Sequence, residues 1–179
     1  MKAKIINLFG GPGAGKSTMA ASIFTELKLN GQKAELVLEF AKDLVWEERL
    51  KTLENQIYVF GKQLQRIKRI ADKVDYIVSD SPLPLSVLYK PQDLSPTFDQ
   101  LVIEVFNSFD NINFFIDRQK KYVHDGRLQT EEEAKKLDKK MLELLKMYDI
   151  SYVSVPGAVP RVSQIVSEII ELSLSSTKS

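Results

Sequence analysis

Gly10-Gly11-Pro12-Gly13-Ala14-Gly15-Lys16-Ser17, directly behind the largely apolar run Ile5-Ile6-Asn7-Leu8-Phe9, decides how this chain is read. The stretch fits G-x-x-x-x-G-K-S/T, a loop whose backbone N–H groups wrap phosphate oxygens where a strand gives way to a helix. Its glycines let the main chain approach an anion with no Cβ in the way. Gly11, Gly13, Ala14, Gly15, Lys16, Ser17 and Thr18 are therefore the candidate nucleotide-binding residues. Lys16 is placed to reach the β- and γ-phosphates, and the Ser17 hydroxyl to join a Mg²⁺ shell. The expected cofactors are ATP and Mg²⁺.

The rest of the composition narrows the field. At 179 residues, 44% of them hydrophobic, the chain has one domain's worth of core. A net charge of +1 gives no global field for a polyanion, although a local basic groove stays open. With no cysteine and a single histidine, His124, disulfides, thiolate metal sites and His-rich sites are excluded. No apolar stretch reaches the length of a membrane span, and the Met-Lys-Ala-Lys start runs into a strand rather than a signal peptide. The expectation is a soluble, cytoplasmic protein with no membrane partner.

Short β-rich runs alternate with helical segments, the pattern of a parallel sheet covered on both faces. Strands are expected at about residues 3–9, 34–39, 76–79, 113–116 and 151–155. Helices are expected over Lys16–Leu29, Asp43–Lys51, Asn55–Lys73, Thr97–Phe109, Thr130–Tyr148 and Arg161–Leu174. Asn30-Gly31 reads as a left-handed stop to the first of these. Thr130 with Glu133 makes a capping box for the fifth. The segment from Pro82 to Ser95 is rich in proline and reads as a loop. Right-handed crossovers then give an α/β, doubly wound, five-stranded parallel sheet with ligands at the carboxyl ends of the strands. The expected strand order is 2-3-1-4-5. One domain spans 1–174, with a lid at about 117–129 and a frayed tail at 175–179.

That topology directs attention to the strand ends. Glu39 closes the second strand, Asp80 the third, and Asp117 with Arg118 the fourth. Phosphoryl transfer needs an acid to hold metal, a base for the attacking hydroxyl and cations over the transferring group. Asp80, after Tyr76-Ile77-Val78-Ser79, has the placement of a metal-side acid and is equally able to accept the acceptor's proton. Glu39 is the rival base. Arg118 and Arg127 bracket the polar stretch after the fourth strand, where a lid closes over phosphates, and a guanidinium can grip phosphate bidentately. His124 reads as a lid surface residue. Trp46, Tyr58, Phe60 and Tyr89 could stack on a base, with Phe60 read as core. Gln63 could pair with a base edge, yet Gln56, Gln63 and Arg66 each read more simply as part of a solvated face.

These residues together resemble the P-loop nucleoside and nucleotide kinase group, through Gly10–Ser17, Glu39, Asp80-Ser81-Pro82 and the stretch Arg118–Arg127. The resemblance implies transfer of the γ-phosphate of ATP to a nucleoside-type acceptor, with the acid after the second strand, here Glu39, as general base. That group has an arginine after the acid of its strand-three motif, where this chain has Ser81. More narrowly, Glu39-Phe40-Ala41-Lys42-Asp43-Leu44-Val45-Trp46-Glu47, with Asp80-Ser81-Pro82 and Tyr122…Gly126-Arg127, is similar to small phage-encoded P-loop ATPase/kinases. Some of those phosphorylate 5-hydroxymethyluracil in DNA. The implied acceptor is then either a nucleoside-type small molecule or a modified base in DNA, with Lys42, Arg66 and Arg69 along the acceptor.

The competing class is a nucleotide-dependent regulatory switch. No Asn-Lys-x-Asp guanine-reading motif follows the fourth strand, and no second helical domain of a ring ATPase is expected. Oligomeric state is left open, because no sustained heptad seam is present.

Overall fold

The computed structural model describes residues 3–118, 130–157 and 162–176. Strand β1 (Lys4–Phe9) is the centre from which the molecule is built. Its side chains alternate: Ile6 and Leu8 pack on Met19 and Ile23 of α1 (Lys16–Leu29) and on Val166 and Ile169 of α8 (Val162–Ser176). Ile5 and Phe9 point the other way, toward Phe60 of α4 (Gln56–Lys68), Phe106 of α6 (Thr97–Asn107) and Met141 of α7 (Glu131–Met147). Such a strand, apolar on both faces, belongs in the middle of a parallel sheet.

Around it lie β2 (Ala34–Val37), β3 (Tyr76–Ser79), β4 (Asp110–Asp117) and β5 (Val153–Pro156), in the order β2-β3-β1-β4-β5. All four pairings are parallel, as the sequence predicts. Strand β1 pairs from Lys4↔Tyr76 to Asn7↔Ser79 on one side and from Lys4↔Asp110 to Phe9↔Phe115 on the other. The carboxyl ends of β1, β3 and β4 therefore come out side by side, which brings residues 10, 80 and 118 to one edge.

Several boundaries differ from the sequence expectation, each for a local reason. The helix expected over Asp43–Lys51 is two helices, α2 (Phe40–Trp46) and α3 (Leu50–Glu54). Between them Glu48 takes a left-handed φ of 56°, with Glu48 N–H donating to Val45 O (3.1 Å) and Arg49 N–H to Leu44 O (2.8 Å). That is a Schellman stop made without glycine, so composition does not announce it. The proline-rich segment is not all loop: Leu85–Tyr89 forms α5, entered from Pro84, since proline is tolerated at a helix start. Burial of Leu83 and Leu85 holds it down.

Strand β4 is twice the expected length, beginning at Asp110, whose carboxylate pairs with Lys4 Nζ at 3.0 Å. Asn7 Nδ2 donates to Asn111 Oδ1 (2.9 Å) and Asn113 Oδ1 (3.0 Å), so polar residues hold the early part of that strand where no apolar run marks it. Helix α8 reaches Ser176, two residues into the stretch expected as a frayed tail. The capping box forms as expected: Thr130 Oγ1 accepts from Glu133 N–H and Glu133 Oε2 from Thr130 N–H. Among the described residues no helix is long and apolar enough to cross a membrane.

Ile77, fully buried in β3, reports on this core. Ile77→Ala should lower unfolding free energy by about 2–5 kcal/mol in urea denaturation. A loss under about 1 kcal/mol would contradict the packing described.

Candidate active site

The turn from β1 into α1 leaves α1 without a side-chain cap. Gly15 is its N-cap residue, no side chain among the described residues caps its first amides, and no acidic residue lies in its first turn. Such a terminus carries donors and a positive dipole end facing outward, ready for an anion. Pro12, Gly13, Gly15, Lys16, Ser17 and Thr18 line one end of a cavity of about 690 Å³, while Ala14 is buried beneath the loop. Lys16 Nζ donates to Gly10 O (2.7 Å) and Gly11 O (3.1 Å), folded back over its own loop. Burial lowers its pKa; Glu39, Asp80 and Asp138 oppose that shift and favour the cation.

Asp80 sits at the end of β3, 3% exposed. Ser17 Oγ donates to its Oδ2 at 2.7 Å, and its Oδ1 is buried with no hydrogen-bond partner among the described residues. A buried carboxylate oxygen left unpaired is costly unless something cationic meets it. The pair Ser17 and Asp80 thus suits a Mg²⁺ ion that takes its remaining oxygens from phosphate and water.

The same cavity continues away from the loop. Glu39 and Lys42 line it, with Val45, Leu53, Val59 and Leu85 as apolar wall and Gln56, Gln63 and Ser86 among the polar groups. Glu39 is the N-cap residue of α2 and its pKa is raised, chiefly because burial penalises the anion; nearby Lys16 pulls the other way.

Gln56 and Gln63 are buried rather than on a solvated face. Gln63 Oε1 accepts Phe40 N–H at 3.0 Å, which fixes the amide's orientation, and its Nε2 is buried with no partner among the described residues. Arg66 is not brought to this cavity. It bonds Leu38 O (3.1 Å), pairs with Asp43 and lies 5.1 Å over the Phe40 ring. Phe60 is core as expected, Tyr89 lines the cavity, Tyr58 packs edge-on to Phe40, and Trp46 is 65% exposed.

Two residues that the sequence does not single out complete the site. Asp138 of α7 accepts Gly11 N–H through Oδ1, while its Oδ2 receives Arg118 Nε (3.2 Å) and Nη2 (2.9 Å). The available signal was a carboxylate between buried Ala134 and Met141, at i+4 and i−3 on one helix face. Gly157, just past β5, backs the loop: a Cβ there would lie 2.6 Å from Ala14 O and 2.9 Å from Asp117 O. Arg127 and most of the expected lid, with His124, lie outside the described residues.

A family model for an AAA domain matches residues 5–161. Among solved structures, the deoxyadenosine kinase of M. mycoides with bound dATP is similar at a TM-score of 0.59 and 22% identity, covering 93% of this chain and 99% of that one. The same kinase with the products dCMP and a flexible dCDP bound gives 0.54 and 23%, over 96% and 99%. At this identity the likeness is one of fold, the P-loop kinase fold with its sheet order. No curated protein matches.

Gly157→Ala should weaken Mg·ATP binding about tenfold or more in a fluorescence titration and cost about 1–3 kcal/mol of stability, because the new methyl pushes on the backbone of Asp117 and of Ala14 in the loop. Unchanged affinity would show that Gly157 does not shape it.

Proposed function

The chain belongs to the AAA-domain family, and we propose that it is an ATP-dependent phosphotransferase acting on a hydroxyl of a nucleoside-type acceptor. One observation carries this reading: a single cavity joins the phosphate loop, at Lys16 and Ser17, to a half-apolar compartment holding Glu39 and Gln63. A nucleotide switch has no use for that second compartment. A transferase needs it for the group that receives the phosphate.

The roles follow from placement. Loop amides and Lys16 bind the triphosphate, and Arg118 stands at the loop's rim. Ser17 and Asp80 would hold Mg²⁺, whose charge, when bound, offsets that of the β- and γ-phosphates. Because Asp80 is engaged with the Ser17 hydroxyl, Glu39 is the better base. Glu39 takes the acceptor's hydroxyl proton as the new O–P bond forms. The bond from the γ-phosphorus to its bridging oxygen breaks, and that electron pair leaves with ADP. A raised pKa suits the task, since a base closer to working pH removes a hydroxyl proton with less penalty.

Phe40 N–H fixes the Gln63 oxygen, and the Nε2 donor is left without a partner among the described residues. This favours an acceptor base with a carbonyl oxygen on the edge it shows. Uracil-type bases carry two, so 5-hydroxymethyluracil in DNA is the second reading. Lys42 in the cavity and exposed Trp46, next to cavity-lining Val45, would suit a strand entering from outside.

Labelled ATP with nucleosides, nucleotides, plain DNA and hydroxymethylated DNA separates these acceptors. Label should appear on one hydroxyl-bearing acceptor and fall at least about a hundredfold in Lys16→Ala. Release only as inorganic phosphate, whatever acceptor is added, would instead identify a switch.

Titration of Glu39 supplies a second test. Burial favours its protonated form, so the ionised base accumulates as pH rises through a value above the ordinary 4.5. The acid limb of kcat/KM should be displaced upward accordingly, and Glu39→Gln should remove that limb with a loss of about 10²–10⁴-fold in rate. By the same linkage, Glu39 supports the unliganded fold at low pH and that support is lost as pH rises through its raised folded pKa. Full activity in Glu39→Gln would move the base to Asp80.

A further inference from the structure

Helix α7 lies against the start of the phosphate loop through one face. Ala134, Asp138 and Met141 recur on it: Met141 meets Gly10, and Ala134 and Asp138 meet Gly11. Gly10 N–H points to Met141 Sδ at 3.0 Å. A Cβ on Gly11 would lie 2.8 Å from Ala134 O and would collide with Asp138 Oδ1. Into this contact the helix inserts a carboxylate that meets both a loop amide and a guanidinium.

The Arg118–Asp138 pair is well shielded, with side chains 11% and 19% exposed. Ion pairs this sheltered repay little of their desolvation, and an apolar contact of similar size would hold α7 on the loop about as well. Stability therefore does not account for charge at this position. Orientation does. Asp138 Oδ2 receives both Nε and Nη2 of Arg118, fixing the plane of the guanidinium, and Nη1 donates to Pro12 O at 2.9 Å. Arg118 follows the last residue of β4, the strand paired with β1, so its backbone already sits beside the loop. The carboxylate converts that proximity into a fixed direction.

We propose that Asp138 is a positioning residue, which ties the first turn of the phosphate loop to Arg118 and so aims the guanidinium at the terminal phosphate of a bound triphosphate. This rests on the reading of the loop as a triphosphate site. It concerns a residue that touches no phosphate itself: Asp138 acts through Arg118.

The chemistry of the side-chain amide makes this testable. In Asp138→Asn the remaining oxygen can still accept Gly11 N–H, whereas the new NH₂ faces the Nε–H and Nη2–H donors and repels Arg118. The loop keeps its support and the guanidinium loses its aim. Fluorescent mant-ADP and mant-AMP-PNP, titrated with Mg²⁺ into the full chain, read this out as the preference for a third phosphate.

Asp138→Asn should bind mant-ADP within about threefold of the parent and mant-AMP-PNP about tenfold more weakly. Arg118→Ala should show the same split, and the double variant should be no worse than Arg118→Ala alone. Where the Asn variant melts early, both titrations are run below its melting onset, with circular dichroism showing it folded. Unchanged preference, equal weakening toward both nucleotides, or losses that multiply in the double variant would each overturn the role of Asp138. A parent protein that binds neither nucleotide would overturn the triphosphate reading as well, and that outcome is distinct from the others.

Discussion

The amides at the start of α1 are the constraint from which the rest of this molecule follows. A helix of 14 residues begins at Lys16 with neither a capping side chain nor an acid in its first turn. Those amides open onto the cavity behind a glycine turn, where an external anion can take the bonds that no side chain supplies among the described residues. Lys16, bent onto the carbonyls of Gly10 and Gly11, adds a cation to the same spot. The loop thus carries concentrated positive potential, and the surrounding acids Glu39, Asp80 and Asp138 are placed at its margin.

Each of those acids has a different environment. Asp80 is bonded by the Ser17 hydroxyl on one oxygen and has the other buried and unmet. Asp138 is satisfied by a backbone amide and a guanidinium. Glu39 faces the wide compartment and leans toward its protonated form. Three carboxylates close to one lysine would repel one another if all were solvated alike. Separate environments set them apart, and in the proposed reaction they would serve metal, arginine and the proton of an incoming hydroxyl respectively.

Most of the frame was legible in the sequence, for physical reasons. The glycine-rich turn, β-branched strands at regular spacing and the handedness of crossovers point to a doubly wound parallel sheet without tertiary information. What escaped depends on contacts between distant segments. Glu48 in a left-handed turn and a helix starting at Pro84 go against residue preference and are held by neighbours. Gln56 and Gln63 read as a polar face because nothing local reveals that α2 and α3 cover them. Asp138 hides in a helix rich in charge, where one half-buried acid resembles its solvated neighbours. Gly157 has ordinary local sequence; only the closeness of Ala14 and Asp117 explains it. Arg66 was credible as an acceptor-side cation until its pairing with Asp43 and Phe40 became visible.

The central claim is that this pocket of amides holds a triphosphate in the presence of magnesium. Titration calorimetry of the purified chain with ATP and Mg²⁺ tests it most directly. The account predicts a saturable heat corresponding to one nucleotide per chain. No heat from any purine triphosphate, in protein shown to be folded, would contradict it.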